Sequence, residues 1–262
     1  MIRSPLGLRL DPTEDLKTQF RLAAQLGVKG VVLDAIGDLG PDRLSETGRR
    51  ELRHALRSVQ LNLIALHLPT RRPFDTLDEI DDRLKRAEKA FGLAYDLGAT
   101  LVLARVGAIP PETETARREI FSNSLMDLGR RADHRGVRLA IETGTDSGTD
   151  LNAFLVALGE MALVVSIDPA SLLRQGIDPV ATTAALQGRV AHAYANDASA
   201  GADSTRIINP RGQGYPPGAL DWEEYLGVLE EINYRGSLTI WPDFTRDIAS
   251  QVRAITERLD RF

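Results

Sequence analysis

Residues 137–142 read VRLAIE and residues 163–168 read LVVSID, two apolar runs of strand length that each end in a carboxylate. Nearly continuous apolarity is typical of parallel strands covered by helices, because both faces of such strands are buried. We therefore interpret the two runs as neighbouring strands of a parallel sheet, with Glu142 and Asp168 at their carboxyl ends.

The same alternation extends along the whole chain. Longer amphipathic segments separate eight short apolar runs: Leu6–Leu10, Val28–Asp34, Leu61–Leu68, Thr100–Val106, Val137–Glu142, Leu163–Asp168, Val190–Asp197 and Ser237–Trp241. Three helical segments end in a glycine before the next run, as helix C-caps do, at Gly27, Gly98 and Gly136. Eight strand–helix units in 262 residues fit a closed barrel better than an open sheet. The sequence therefore predicts a single-domain α/β protein, a (β/α)8 TIM barrel over residues 1–262.

Composition narrows the classes of function. The chain has no cysteine, which excludes thiolate catalysis, iron–sulfur clusters and cysteine zinc sites. Its 37 Asp and Glu residues outnumber its 32 Lys and Arg residues, which disfavours a nucleic-acid partner. No run approaches the roughly 18–20 apolar residues of a membrane span, and the N-terminus lacks the pattern of a signal peptide. We expect a cytoplasmic protein with neither a membrane nor a nucleic-acid partner.

Strand parity predicts which polar side chains line the barrel. Side chains alternate along a strand, so placing Val165 and Ile167 against the helices turns Ser166 and Asp168 into the barrel. The same reasoning gives a set of inward or strand-end residues: Arg9, Asp34, His67, Arg105, Glu142, His192, Tyr194, Asn196, Trp241 and Asp243. Each of these alone is also consistent with a salt-bridged strand end or a core residue. Together they predict a site at the C-terminal mouth, where TIM barrels carry their active sites.

A series of motifs in the second half of the chain resembles a known family. The motifs are LAIE at 139–142, SIDPAS at 166–171, GIDP at 176–179, GRVAHAYAND at 188–197, GQG at 212–214, DW at 221–222 and YRGSLTI at 234–240. They resemble the xylose-isomerase-like barrels, the sugar phosphate isomerase/epimerase superfamily. The resemblance implies the same fold and an isomerase or epimerase acting on a small carbohydrate.

The resemblance also implies a set of site residues. Family members typically hold one divalent cation with two glutamates, an aspartate and a histidine, and their glutamates move a proton beside a substrate carbonyl. Carried over by motif, the first glutamate is Glu142 and the aspartate is Asp168. The histidine falls on Tyr194 and the last glutamate on Trp241, so two of four ligands are absent. The expected roles are proton transfer for Glu142 and a ligand or orienting role for Asp168.

The sequence leaves the cofactor open. Hard divalent cations prefer oxygen ligands, so Glu142 and Asp168 with water could still hold Mg²⁺ or Mn²⁺, with Co or Zn as other options. Asn196 and Asp243 are candidate replacement ligands, because each lies two residues beyond a lost one. The alternative is a site without a metal.

Other residues are candidates for substrate contact. His67 either contacts substrate or is a hydrogen-bonded core histidine. Arg105 could bind a carboxylate or phosphate through bidentate contacts, and so could Arg211 in the long irregular stretch Ala198–Gly218, unless they pair with nearby acids. The remaining expected substrate contacts are Tyr194, Asn196 and Trp241.

Two functions from different classes follow. The first is an isomerase or epimerase that transfers a proton next to a carbonyl, with a small carbohydrate or hydroxy-carbonyl compound as substrate. The alternative is a catalytically inactive barrel that serves as a sugar-binding or regulatory protein, which the loss of two ligands favours. Apurinic-site endonucleases share the barrel, but they need a histidine-rich zinc cluster and this chain has four histidines. Homodimers are common among such barrels, so a homodimer is left open.

Overall fold

Eight parallel strands close into one barrel in chain order. The computed structural model describes residues 4–159, 162–197 and 220–262. Each strand pairs with the next, and β8 pairs with β1 to close the ring. The strands are β1 (Leu6–Arg9), β2 (Gly30–Asp34), β3 (Asn62–His67), β4 (Leu101–Ala104), β5 (Arg138–Glu142), β6 (Leu163–Ile167), β7 (Val190–Tyr194) and β8 (Leu238–Ile240). The predicted (β/α)8 fold is confirmed.

Helices connect the strands on the outside of the barrel. They are α1 (Leu16–Gln25), α2 (Glu46–Ser58), α3 (Ile80–Leu97), α4 (Thr115–His134), α5 (Gly148–Leu158), α6 (Pro169–Arg174), α7 (Pro179–Ala185), α8 (Trp222–Glu231) and α9 (Ile248–Leu259). The glycines predicted to end helices, Gly27, Gly98 and Gly136, all have positive φ, as C-caps require. In the part of the chain that the structure describes, no helix combines the length and apolarity of a membrane span.

Each observed strand lies inside the apolar run that predicted it, and several stop short of the predicted end. The strand β4 stops at Ala104 and β7 at Tyr194, so Arg105 and Asn196 follow their strands. The strand β6 stops at Ile167 because Asp168 becomes the N-cap of α6, with Pro169 in its first turn. The polar residues of interest therefore lie at or just beyond the strand ends.

Two apolar layers confirm the prediction that alternate side chains of each strand face the helices and the barrel interior. Leu139, Ile141, Val165 and Ile167 belong to the large core between the strands and the helices. A smaller cluster fills the barrel interior and consists of Val32, Ala65, Leu101, Leu103, Ala140, Val164 and Tyr194. This interior packing ends in polar side chains at the carboxyl ends of the strands, which is the predicted position of the site.

Candidate active site

Arg9, at the end of β1, is the centre of a polar cluster at the barrel mouth. Its guanidinium donates to both oxygens of Asp34 on β2, from Nε to Oδ1 at 3.1 Å and from Nη2 to Oδ2 at 3.1 Å. Both residues are buried, with Arg9 only 4% exposed. Burial raises the pKa of Asp34, but its hydrogen bond with His67 and the charge of Arg9 outweigh burial and lower it. The pair is a bidentate ion pair, the strong form of charge-assisted hydrogen bond.

His67, at the end of β3, lies between two carboxylates. Its Nδ1 is 3.2 Å from Asp34 Oδ1 and its Nε2 is 3.4 Å from Glu142 Oε2. Burial alone would lower the pKa of the ring, but the interactions with Asp34 and Glu142 outweigh it and raise the pKa. Arg9 Nη2 also lies 2.7 Å from His67 Nδ1, so His67 links Arg9, Asp34 and Glu142, and it lies within the predicted site.

Glu142, the last residue of β5, is buried and held as an anion. Its Oε1 accepts a hydrogen bond from the Tyr194 hydroxyl at 3.0 Å. Burial raises the pKa of the carboxyl, but the bond with His67 and the charges of His67, Arg9 and Arg105 outweigh burial and lower the pKa to about 2. No described residue makes a well-formed hydrogen bond to its Oε2, which lies 3.4 Å from His67 Nε2.

Asp168 has a different environment. Its side chain is fully buried, and Oδ1 accepts from the Ser171 backbone N–H at 3.1 Å and from Asn196 Nδ2 at 3.3 Å. Within the described part of the chain, no donor reaches Oδ2. Burial and the negative charge of Glu142 raise the pKa of Asp168. The two carboxyls therefore differ in character, with Glu142 the stronger acid.

Arg105 lies directly over the two carboxylates. Its Nε is 3.7 Å from Glu142 Oε2 and its Nη2 is 3.7 Å from Asp168 Oδ2, and the side chain is 52% exposed. No described residue makes a well-formed hydrogen bond to either oxygen, although His67 Nε2 is 3.4 Å from Glu142 Oε2 and so nearer to it than Arg105. The predicted grouping of Arg105 with Glu142 and Asp168 is present in the structure.

Tyr194 and Trp241 surround Arg9. The Arg9 guanidinium lies 3.7 Å from the Trp241 ring centroid, and its Nη1 donates to the Tyr194 hydroxyl at 3.4 Å. Burial, together with the charge of Glu142, raises the pKa of Tyr194 well above its usual value. The phenol therefore stays protonated, and its hydroxyl donates a hydrogen bond to Glu142. Both aromatic residues therefore contact the cluster, through Arg9 and, for Tyr194, also through Glu142.

The remaining candidates have separate positions. Asn196 donates to Asp168, as noted above, whereas Asp243 accepts from Thr245 and pairs with Arg246 within its own turn. His192 lies deeper in the barrel, where its ring nitrogens are 2.7 Å from Ser166 Oγ and 2.8 Å from Thr239 Oγ1. Arg211 lies outside the described residues.

Two further residues of the site are not among the candidates predicted from the sequence. The Thr143 hydroxyl accepts from the Asp168 backbone N–H at 2.9 Å and joins the ends of β5 and β6. Ser171 supplies the backbone N–H that binds Asp168. The N-cap pattern of Asp168 followed by Pro169 could have indicated the second contact, because a capping side chain accepts from the N–H two or three residues on.

Open space adjoins the cluster on two sides. A pocket of about 300 Å³ is lined by residues that include Arg105, Glu142 and Ser171. A cavity of about 640 Å³ is lined by described residues that include Asn196 and Trp241. These volumes suit small polar molecules.

A closed barrel with a polar, partly open mouth defines a class of TIM-barrel proteins with a site at the C-terminal face. The family model described as xylose isomerase-like TIM barrel matches residues 20–259, and the chain belongs to that family. No curated protein sequence matches the chain.

Several solved structures share the fold. A xylose isomerase domain protein from Planctomyces limnophilus aligns with a TM-score of 0.81 at 21% identity, over 97% of this chain and 96% of that one. The 3-keto-D-glucoside 4-epimerase from E. coli aligns with a TM-score of 0.73 at 14% identity, over 99% and 100%. A D-psicose 3-epimerase from Clostridium cellulolyticum H10, solved with D-tagatose, aligns with a TM-score of 0.72 at 15% identity, over 95% and 89%.

The donor set does not fit the four-ligand divalent ion that the family implies. The Tyr194 hydroxyl donates a hydrogen bond to Glu142, and the indole of Trp241 offers no lone pair to a metal. Among the described residues, no three His, Asp or Glu side chains form a group that could hold a metal. The two remaining carboxylate oxygens already face the guanidinium of Arg105.

Proposed function

We propose that the protein is an isomerase or epimerase that moves a proton at the carbon beside a carbonyl group of a small carbohydrate. One observation carries the proposal: Glu142 and Asp168, from the ends of adjacent strands, direct two carboxylate oxygens without hydrogen-bond donors at the same guanidinium. Glu142 lines the pocket of about 300 Å³ together with Arg105, and Asp168 Oδ2 lies 3.7 Å from that guanidinium. A carboxylate oxygen without a donor is available to accept a proton or a substrate hydroxyl.

The contacts of the two carboxylates favour Asp168 as the group that takes the proton. Glu142 interacts with Tyr194, His67 and Arg105, and such contacts weaken a carboxylate as a base. Asp168 also has partners, since Oδ1 accepts from Ser171 and Asn196 and Oδ2 lies 3.7 Å from Arg105, but burial and the charge of Glu142 outweigh them and raise its pKa. This reverses the roles expected from the family resemblance, in which Glu142 was the base.

A carbohydrate is the substrate class that agrees with both the pocket and the family. The cavity of about 640 Å³ offers hydroxyl partners at Asn196 and an aromatic side chain at Trp241, whereas Glu142 and Arg105 line the pocket of about 300 Å³. Two of the structurally similar proteins are epimerases named for a keto-glucoside and for psicose. A cytoplasmic location and a homodimer remain predictions from the sequence.

The test is turnover of a panel of keto-sugars, measured by product analysis. Asp168→Asn and Glu142→Gln should each lower kcat by at least about 100-fold, a typical contribution of a proton-transferring group. The control is Glu223→Gln, which changes an exposed carboxylate on α8 and should keep wild-type turnover.

A different result would favour the binding-protein alternative. If keto-sugars raise the melting temperature of the protein but none is converted, the site binds carbohydrate without catalysis. If the panel neither stabilises the protein nor is converted, the proposed substrate class is wrong.

A further inference from the structure

We propose that Arg105 is the resident cation of this site and takes the place of a divalent metal between Glu142 and Asp168. The part of the inference that concerns catalysis rests on the proposed function. The part that concerns metal binding does not, and it can be tested without a substrate.

The first observation is the position of the guanidinium. One edge of Arg105 spans the two carboxylates, with Nε 3.7 Å from Glu142 Oε2 and Nη2 3.7 Å from Asp168 Oδ2. Both acceptor residues are at most 5% exposed, so their side of the contact is shielded from solvent. The guanidinium makes no hydrogen bond to the described residues, and Arg105 lines the pocket of about 300 Å³.

The second observation is that the two lost metal ligands have been replaced in a concerted way. Tyr194 and Trp241 both contact Arg9, through a hydrogen bond at 3.4 Å and a cation–π contact at 3.7 Å. Tyr194 also donates to Glu142 Oε1, the oxygen that does not face Arg105. The residues at these two positions therefore contact a second arginine, Arg9, instead of binding a metal ion.

The third observation is the balance of charge. The mouth contains three buried carboxyls, those of Asp34, Glu142 and Asp168, and two guanidinium groups, those of Arg9 and Arg105. A divalent ion added to this set would leave uncompensated positive charge in a poorly solvated site. Such burial is strongly unfavourable.

For the proposed reaction, Arg105 would act as the electrophile. When a carboxylate takes the proton from the substrate carbon, negative charge develops on the neighbouring carbonyl oxygen. Guanidinium N–H groups placed at that oxygen stabilise the charge by hydrogen bonding. In an isomerisation the protonated carboxyl then gives the proton to the former carbonyl carbon, and the proton of the neighbouring hydroxyl moves to the former carbonyl oxygen, so that a new carbonyl forms. In an epimerisation the other carboxyl, protonated from solvent, delivers a proton to the opposite face of the same carbon. Arg105 keeps all its own protons in both cases.

The test compares Mn²⁺ binding by wild type, Arg105→Gln and Arg105→Lys, all as EDTA-treated full chains. Electron paramagnetic resonance measures free Mn²⁺, and a parallel melting experiment measures stabilisation. Wild type and Arg105→Lys should bind no Mn²⁺. Arg105→Gln should bind about one ion per chain and gain about 3 °C or more in melting temperature.

The matched control is Arg71→Gln. Arg71 is exposed and lines the same pocket, but it has no ion pair with the described residues. This variant should behave like wild type. Tight one-to-one Mn²⁺ binding by wild type, or an Arg105→Gln variant that binds no more Mn²⁺ than wild type, would overturn the proposal.

A second arm separates this inference from the proposed function. With a converted keto-sugar in hand, EDTA should leave kcat unchanged, whereas Arg105→Gln should lower kcat more than it raises KM. Turnover that is lost in EDTA and restored by Mn²⁺ would refute the role of Arg105 while the isomerase assignment stands. If no substrate is found, the Mn²⁺-binding experiment alone decides whether the cation of the site is Arg105 or a divalent metal ion.

Discussion

Arg9 organises the mouth because a single buried guanidinium has several partners. It forms a bidentate pair with Asp34, lies on the Trp241 ring and donates to Tyr194. The planar, delocalised guanidinium can make all these contacts at once, which lysine cannot. Tyr194 and Trp241 can therefore occupy the two positions of the lost metal ligands within a buried cluster of charges, because both contact the Arg9 guanidinium.

Replacement of Arg9 should be costly. Arg9→Met leaves the Asp34 carboxylate buried with its main cation removed, which should lower the free energy of unfolding by about 3–5 kcal/mol. Guanidinium chloride unfolding measures the change. Lys89→Met is the control, because the Lys89–Asp42 pair is exposed and its loss should cost at most about 1 kcal/mol.

The double variant Arg9→Met/Asp34→Asn tests the cause. If the loss reflects the uncompensated carboxylate, the second change should recover part of it. A single variant that costs no more than Lys89→Met would show that Arg9 does not hold the cluster together.

His192 should make stability depend on pH. Burial lowers the pKa of this ring from 6.5 to about 4, so the folded protein keeps it neutral where the unfolded chain takes up a proton. Stability is therefore lost as pH falls from about 6.5 to about 4, by about 3 kcal/mol in total. Below that window the folded protein also takes up the proton, and this contribution stops changing.

The measurement is urea unfolding across the window for wild type and His192→Gln. The variant should lose much of the pH dependence between those limits. NMR titration of the His192 ring in the folded protein provides a check that needs no variant. A ring that titrates near pH 6.5 would contradict the structure.

The loop after β5 and the start of α6 approach each other closely enough to exclude a side chain. Gly144 has φ +136°, and a Cβ built on it would lie 2.2 Å from Ser171 Oγ. Ser171 provides the backbone N–H that binds Asp168. Glu142 and Asp168 are thus kept in register by backbone packing between two elements as well as by Thr143.

Gly144→Ala should therefore disturb both stability and the site. The added methyl group must displace the start of α6, so we expect a loss of at least about 1 kcal/mol beyond that of Gly27→Ala. Gly27, with φ +78° and open space around the added Cβ, is the control for replacing a glycine of positive φ, and the larger φ of Gly144 adds backbone strain to the contact with Ser171. Denaturant unfolding measures the free energy of unfolding of both variants. Equal losses would show that Ser171 moves away from the added methyl group without a loss of stability.

Local sequence patterns were sufficient to predict the strands, but not the contacts between residues that are far apart in the sequence. The apolar runs located all eight strands, because covered parallel strands need apolar residues on both faces. Parity placed Glu142 and Tyr194 inside the barrel. The stacking of Arg9 on Trp241 could not be predicted, because it exists only once β8 pairs with β1. The half-exposed position of Arg105 depends on β4 ending at Ala104, and strand ends are the least certain part of a sequence pattern.

At the scale of the molecule, barrel closure creates the site. Its residues come from β1, β2, β3, β5 and β7, with Arg105, Asp168 and Trp241 just beyond β4, β6 and β8. No two adjacent strands carry the whole cluster. The site should therefore be lost together with the fold in a single cooperative transition.

The central claim is that Glu142, Asp168 and Arg105 form one proton-transfer site that works without a divalent metal. The most direct measurement is deuterium exchange from D₂O into a bound keto-sugar, followed by proton NMR with EDTA-treated protein. The account predicts deuterium at the carbon beside the carbonyl with wild type and none with Asp168→Asn. Exchange that survives Asp168→Asn, or that requires added Mn²⁺, would contradict it.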